Sequence, residues 1–134
     1  DWMAEAIGTQ KIDYVVGIES RGFILGIPLA QKLGIGFIPA RKMGKLPGDV
    51  EQHHYDLEYG TDCVEMQRDA FEPGSRIVIV DDLLATGGTA KATAELIQKL
   101  GGQVARMQFM VELEPLNGRA AFDSNLPIDV LVSY

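Results

Sequence analysis

The sequence predicts an α/β domain whose central, mainly parallel sheet is flanked by helices, and three observations carry that prediction. Ile77-Val78-Ile79-Val80 is a β-branched run without polar alternation, the pattern of a strand buried on both faces. Apolar, strand-like runs alternate with segments of helical spacing along most of the chain. The 134 residues, 46% of them hydrophobic, suffice for one sizeable core, so residues 1–134 read as a single domain.

Taken in chain order, Trp2 to Ile7 has the pattern of an amphipathic helix already under way. A strand at Tyr14 to Ile18 precedes a mostly apolar helix from Gly22 to Leu33, and a second strand follows at Gly36 to Arg41. Lys42 to Tyr59 contains Gly44, Pro47, Gly48 and the pair His53-His54, a composition that predicts an excursion or lid rather than a core element. Thr61 to Met66 forms a short strand beside it, and Val104 to Val111 and Ile128 to Val132 complete the alternation.

The segment from Ile77 to Thr89 carries the chemistry. The apolar strand delivers Asp81 and Asp82, then Leu83-Leu84-Ala85, then Thr86-Gly87-Gly88-Thr89. Glycines there let the backbone approach an anion, and amides at the start of the following helix point at it. In that helix Ala90, Ala94, Ile97 and Leu100 recur at helical spacing. Lys91, Glu95 and Lys99 stand at i, i+4 on another face, and Gly101-Gly102 ends the helix. A P-loop needs a lysine after its glycines and a dinucleotide site needs G-x-G-x-x-G; both are absent. Paired carboxylates at the mouth of the loop would repel a polyphosphate but suit the vicinal hydroxyls of a ribose whose 5-phosphate fills the loop.

Val80 to Thr89 resembles the phosphoribosyl-diphosphate motif of type I phosphoribosyltransferases, and its Leu-Leu-Ala form is similar to the adenine-specific branch of that family. Gly17-Ile18-Glu19-Ser20-Arg21-Gly22-Phe23, Arg41 to Pro47 and Tyr55 to Gly60 are similar, in the same order, to the family's diphosphate loop, basic strand end and mobile catalytic loop. The resemblance implies the type I phosphoribosyltransferase fold and transfer of phosphoribosyl from 5-phosphoribosyl 1-diphosphate to N9 of adenine, giving AMP and diphosphate. A transferase for hypoxanthine, guanine or xanthine, and a non-catalytic sensor of phosphoribosyl diphosphate, are the alternatives.

On the resemblance, Ser20, Arg21, Arg41, Lys42 and Lys45 surround the diphosphate, with a cis peptide near Glu19-Ser20-Arg21. Asp81 and Asp82 hold the ribose hydroxyls and face charge developing on the ring. Ala85, Thr86, Gly87, Gly88 and Thr89 hold the 5-phosphate, and Leu83 offers an apolar surface to the purine. Glu58 transfers a proton at the adenine, directly at N7 or through water, and Tyr59 shields the site. Mg2+ is implied, held mainly through the diphosphate and ribose hydroxyls rather than by protein ligands. A homodimer is implied too, in which Lys42 or Lys45 can serve the neighbouring subunit, as is an N-terminal hood that this chain lacks. From residue type alone, Arg21 reads equally as an exposed arginine bridged to an acid, the basic group as a solvated loop, Glu58 as surface filler and Leu83 as core.

Net charge and cysteine content bound the rest. A formal charge of −7 argues against general nucleic-acid affinity, which needs clustered Lys and Arg. No run approaches the roughly 18 apolar residues of a membrane span. The single Cys63 excludes an internal disulfide and reads as structural, and with no secretory leader a reducing cytoplasm is expected. His53 and His54 read as solvated loop residues, since adjacent histidines on regular structure cannot face one ion. Trp2 and Phe37 read as core or interface.

Overall fold

A computed structural model describes residues 2–57 and 59–134. The elements run α1 (Trp2–Ile7), β1 (Tyr14–Ile18), α2 (Arg21–Leu33), β2 (Gly36–Lys42), β3 (Val50–Asp56), β4 (Thr61–Gln67), β5 (Arg76–Leu84), α3 (Gly88–Lys99), β6 (Gln103–Glu112) and β7 (Ile128–Ser133). Among the described residues, seven strands form a sheet in the order β3-β4-β2-β1-β5-β6-β7. Strands β2, β1, β5, β6 and β7 pair in parallel, while β4 joins β2, and β3 joins β4, antiparallel.

The β5 run explains the layering. Successive side chains point to opposite faces, so Ile77 and Ile79 enter one apolar cluster with Ile97 and Leu96 of α3, while Val78 and Val80 enter the other with Leu29 of α2 and Met3 and Ile7 of α1. All four β5 residues are fully buried. Phe37 packs edge-on against Phe23 with centroids 5.8 Å apart, and Trp2 lies partly buried beside the α1/α2 cluster. Cys63 is buried, and burial pushes its thiol pKa up.

Two expectations are corrected. Lys42 to Tyr59 is not one irregular excursion: Val50–Asp56 is an edge strand, paired with β4 from Val50↔Gln67 to Asp56↔Thr61. Its Glu, Gln and His residues hide a strand because an edge strand lying over a helix need not be apolar. His53 and His54 are therefore strand residues, and His53 is not simply solvated: its Nε2 lies 3.1 Å from Glu95 Oε2. On α3, Glu95 Oε2 also meets His53 and Lys99 Nζ donates to the Gln52 carbonyl at 2.9 Å, while Lys91 and Lys99 stay exposed.

Candidate active site

The site assembles at the carboxyl ends of the parallel strands, where ligands of such sheets bind. β1 ends at Ile18 and the chain turns through Glu19-Ser20, whose peptide is cis, into α2. Helix α2 starts so close to β5 that a Cβ on Gly22 would lie 2.7 Å from the Val80 carbonyl oxygen and 3.4 Å from Asp81 Oδ1. Only glycine allows that approach, and it sets Arg21 beside the two carboxylates. Asp81 and Asp82 sit within β5 rather than after it, because pairing with β6 continues through Asp81↔Phe109 to Leu84↔Glu112.

Two adjoining cavities result. The larger, about 590 Å³, is lined by Glu19, Ser20, Arg21, Lys42, Lys45 and Asp82 among others. The smaller, about 110 Å³, is lined by Leu83, Ala85, Thr86, Gly87 and Gly88 among others. Asp81 and Thr89 line both. A wider groove of about 920 Å³ lies elsewhere, beside the amino-terminal starts of β5 and β6 at Arg76 and Gln103. It is at the wrong end of the strands, and neither the Thr86–Thr89 loop nor Asp81 and Asp82 lines it.

Glu19 organises the cationic wall. It accepts the Lys42 amide N–H at 2.9 Å and Arg41 Nε at 3.3 Å, and pairs with Lys45 Nζ. Burial works against its ionisation, but hydrogen bonds from Lys45, the Lys42 amide and Arg41 outweigh it and hold the carboxyl at about 2. Lys42 Nζ donates to the Tyr55 hydroxyl at 2.9 Å and to Asp62 Oδ2 at 2.5 Å. Burial alone would lower the Lys42 pKa; those two oxygens raise it, and Lys42 in turn holds Asp62 below the usual carboxylate range. Arg21 Nε lies 2.8 Å from Asp82 Oδ2. Asp81 accepts the Asp82 amide N–H at 2.8 Å. Burial, with the Asp82 carboxylate beside it, pushes Asp81 up to about 7.

The phosphate-type loop is braced from behind. Gly87, at φ 89°, begins the turn into α3, and a Cβ there would lie 2.8 Å from the Gly118 carbonyl oxygen. Gly118 itself is so close that a Cβ there would clash with the Ala85 carbonyl oxygen. The segment is anchored by Arg119 Nε, 2.8 Å from Glu112 Oε2 at the end of β6.

Of the residues read from the sequence, Ser20, Arg21, Lys42, Lys45, Asp81, Asp82, Leu83, Ala85, Thr86, Gly87, Gly88 and Thr89 converge on the two cavities. Arg41 stands one layer back, behind Glu19 and over the Phe23 ring at 5.9 Å. Leu83 is 37% exposed rather than core. Tyr59 is 88% exposed in the β3–β4 turn and lines neither cavity. Glu58 lies outside the described residues. Sequence reading passed over Glu19, Tyr55 and Asp62 as functional groups. Glu19 and Tyr55 stood inside motifs already singled out; Asp62 becomes visible only once Val50–Asp56 is read as a strand that places Tyr55 opposite it.

Comparison with known proteins gives one consistent result. A family model described as phosphoribosyl transferase domain matches residues 1–120. An adenine phosphoribosyltransferase of Trichormus variabilis is 58% identical over 136 aligned positions, covering 100% of this chain and 78% of the relative. The crystal structure of an adenine phosphoribosyltransferase from Thermoanaerobacter pseudethanolicus superposes with a TM-score of 0.95 at 47% identity, covering 99% of this chain and 77% of the other. The Saccharomyces cerevisiae enzyme, complexed with an imino-altritol bisphosphate and adenine, superposes at 0.89 with 46% identity, covering 97% of this chain and 73% of the other.

Proposed function

The chain belongs to the adenine phosphoribosyltransferase family, and on that premise we propose that it transfers phosphoribosyl from 5-phosphoribosyl 1-diphosphate to adenine, giving AMP and diphosphate in purine salvage. The observation that carries the proposal is the pair of adjoining cavities sharing Asp81 and Thr89, one walled by cations and one by the Thr86–Thr89 loop. A pentose carrying an anion at each end spans such a pair.

In this reading the loop amides and the Thr86 and Thr89 hydroxyls hold the 5-phosphate, and Asp81 and Asp82 accept hydrogen bonds from the ribose hydroxyls. Arg21, Lys42 and Lys45 face the diphosphate. The C1–O bond to diphosphate breaks, its electron pair leaving with the oxygen, and C1–N9 forms from the N9 lone pair of the adenine 7H tautomer as its N7 proton passes to Glu58, directly or through water. Arg21 and the lysines stabilise the departing charge, while Asp81 and Asp82 face the positive charge developing on the ring. The fixed 5-phosphate holds C1 against the base. Leu83, exposed at the small cavity, is the apolar surface for the purine. Glu58 is proposed for proton transfer at adenine N7, directly or through water, on its motif position alone.

Magnesium belongs to the proposal. The donor set fits an ion bound largely through substrate oxygens, since Mg2+ is commonly held by one or two carboxylates plus phosphates, and Asp81 and Asp82 line the cavity. When bound it would neutralise diphosphate charge. A homodimer in the cytoplasm completes the reading. Mixing the protein with phosphoribosyl diphosphate, Mg2+ and adenine, hypoxanthine, guanine or xanthine in turn tests it: AMP forms with adenine and stops on chelation, and preferential turnover of another base would overturn the choice of adenine.

A further inference from the structure

Tyr55 stands at a junction that no part of the proposed chemistry uses. Its ring packs partly buried against the β5/α3 core. Its hydroxyl oxygen receives Lys42 Nζ at 2.9 Å, lies 3.2 Å from Thr89 Oγ1 and 3.4 Å from Asp62 Oδ2. Lys42 belongs to the cationic wall, and Thr89 lines both cavities. Tyr55 therefore links the two halves of the site from the edge of the sheet.

Resting on the placement of a ribose 5-phosphate in the Thr86–Thr89 loop, we infer that Tyr55 is a positioning residue which sets the direction of the Thr89 hydroxyl and couples it to Lys42. With the loop empty, either hydroxyl of the Tyr55–Thr89 pair can be the donor. An anion in the loop removes that freedom, because a hydrogen bond to a charged oxygen is roughly twice as strong as a neutral one and draws the Thr89 proton toward it. Thr89 Oγ1 then has only lone pairs to offer Tyr55, so Tyr55 donates. Its own oxygen is already occupied by the Lys42 N–H, and Asp62, its other acceptor, is farther away and engaged by Lys42 at 2.5 Å. The result is a directed chain from Lys42 to Tyr55 to Thr89 to the phosphate, each donor polarised by the one before it.

Calorimetric titration of ribose 5-phosphate tests this without requiring turnover. The wild-type chain binds it, and Tyr55→Phe, which keeps the packed ring, weakens binding about tenfold, the size of one such hydrogen bond. Thr89→Val weakens binding as well, and in that background Tyr55→Phe adds less than about a twofold further loss, because the hydroxyl it orients is gone. A merely structural Tyr55 would act equally in both backgrounds. Equal weakening in both, or wild-type affinity in Tyr55→Phe, overturns the inference. Binding with no transfer to adenine would defeat the proposed activity and leave the role of Tyr55 standing; a wild-type chain that does not bind ribose 5-phosphate would defeat both.

Discussion

Arg21 Nε and Asp82 Oδ2 lie 2.8 Å apart, so the arginine assigned to the diphosphate and a carboxylate assigned to the ribose are partners before any substrate enters. The arginine side chain is 73% exposed, and exposed pairs of this kind contribute little to folding. Arg21→Ala is thus expected to leave thermal unfolding within about 1 kcal/mol of wild type. It should lower kcat/KM for phosphoribosyl diphosphate by on the order of a hundredfold, as loss of a charge-stabilising group does. Parallel melting and steady-state assays check both halves; a large fall in stability would mean the pair is structural.

Asp81 links activity to stability through its proton. Its folded pKa of about 7 stands above the ordinary carboxyl value of 3.8, so the folded state prefers the protonated form. Native stability therefore falls as pH rises from about 4 to about 7, and the full cost remains above that. Asp81→Asn, neutral throughout, is expected to be more stable than wild type at pH 8 by on the order of 2 kcal/mol, with the gain vanishing near pH 4. The same variant should lose turnover. Denaturant titrations at the two pH values decide the first point.

Glu19 has the opposite sign. Held at about 2 against an ordinary 4.5, it contributes stability that is present above about pH 4.5 and is lost as pH falls through 2. Glu19→Gln should melt below wild type at pH 7, and the gap should narrow steadily below pH 4. Glutamine keeps one neutral acceptor oxygen, so Arg41, Lys45 and the Lys42 amide would lose the carboxylate charge and the second oxygen they share, and KM for phosphoribosyl diphosphate should rise about tenfold. An unchanged KM would show that these donors are placed by other contacts.

Two glycines separate close packing from open space. A methyl group on Gly22 meets the Val80 carbonyl oxygen at 2.7 Å, whereas on Gly88 its nearest neighbour is Thr86 Oγ1 at 3.8 Å. Gly22→Ala is expected to destabilise by roughly 1–3 kcal/mol, the usual cost of forcing extra volume into packed structure. Gly88→Ala, in the first turn of α3, should melt at or slightly above the wild-type temperature. Thermal unfolding of the two variants side by side makes the comparison.

Much of this protein is determined by sequence alone. Four β-branched residues before Asp81 mark the central strand because a strand buried on both faces tolerates no polar alternation. The Thr86–Thr89 loop is legible because its glycines and the helix after it have a local function that needs no distant partner. The edge strand β3 is not legible in this way: His53 meets Glu95 of α3, Lys99 reaches the Gln52 carbonyl, and the Gln52 and Glu51 side chains meet Glu65 and Arg68, contacts that exist only after folding. Tertiary structure alone decided that Glu19 gathers Arg41, Lys42 and Lys45, that Arg21 meets Asp82, and that Tyr55 reaches Thr89, 34 positions along the chain. Those relationships depend on which strands lie side by side, and the order β3-β4-β2-β1-β5 is set by packing both faces of one sheet rather than by any local pattern.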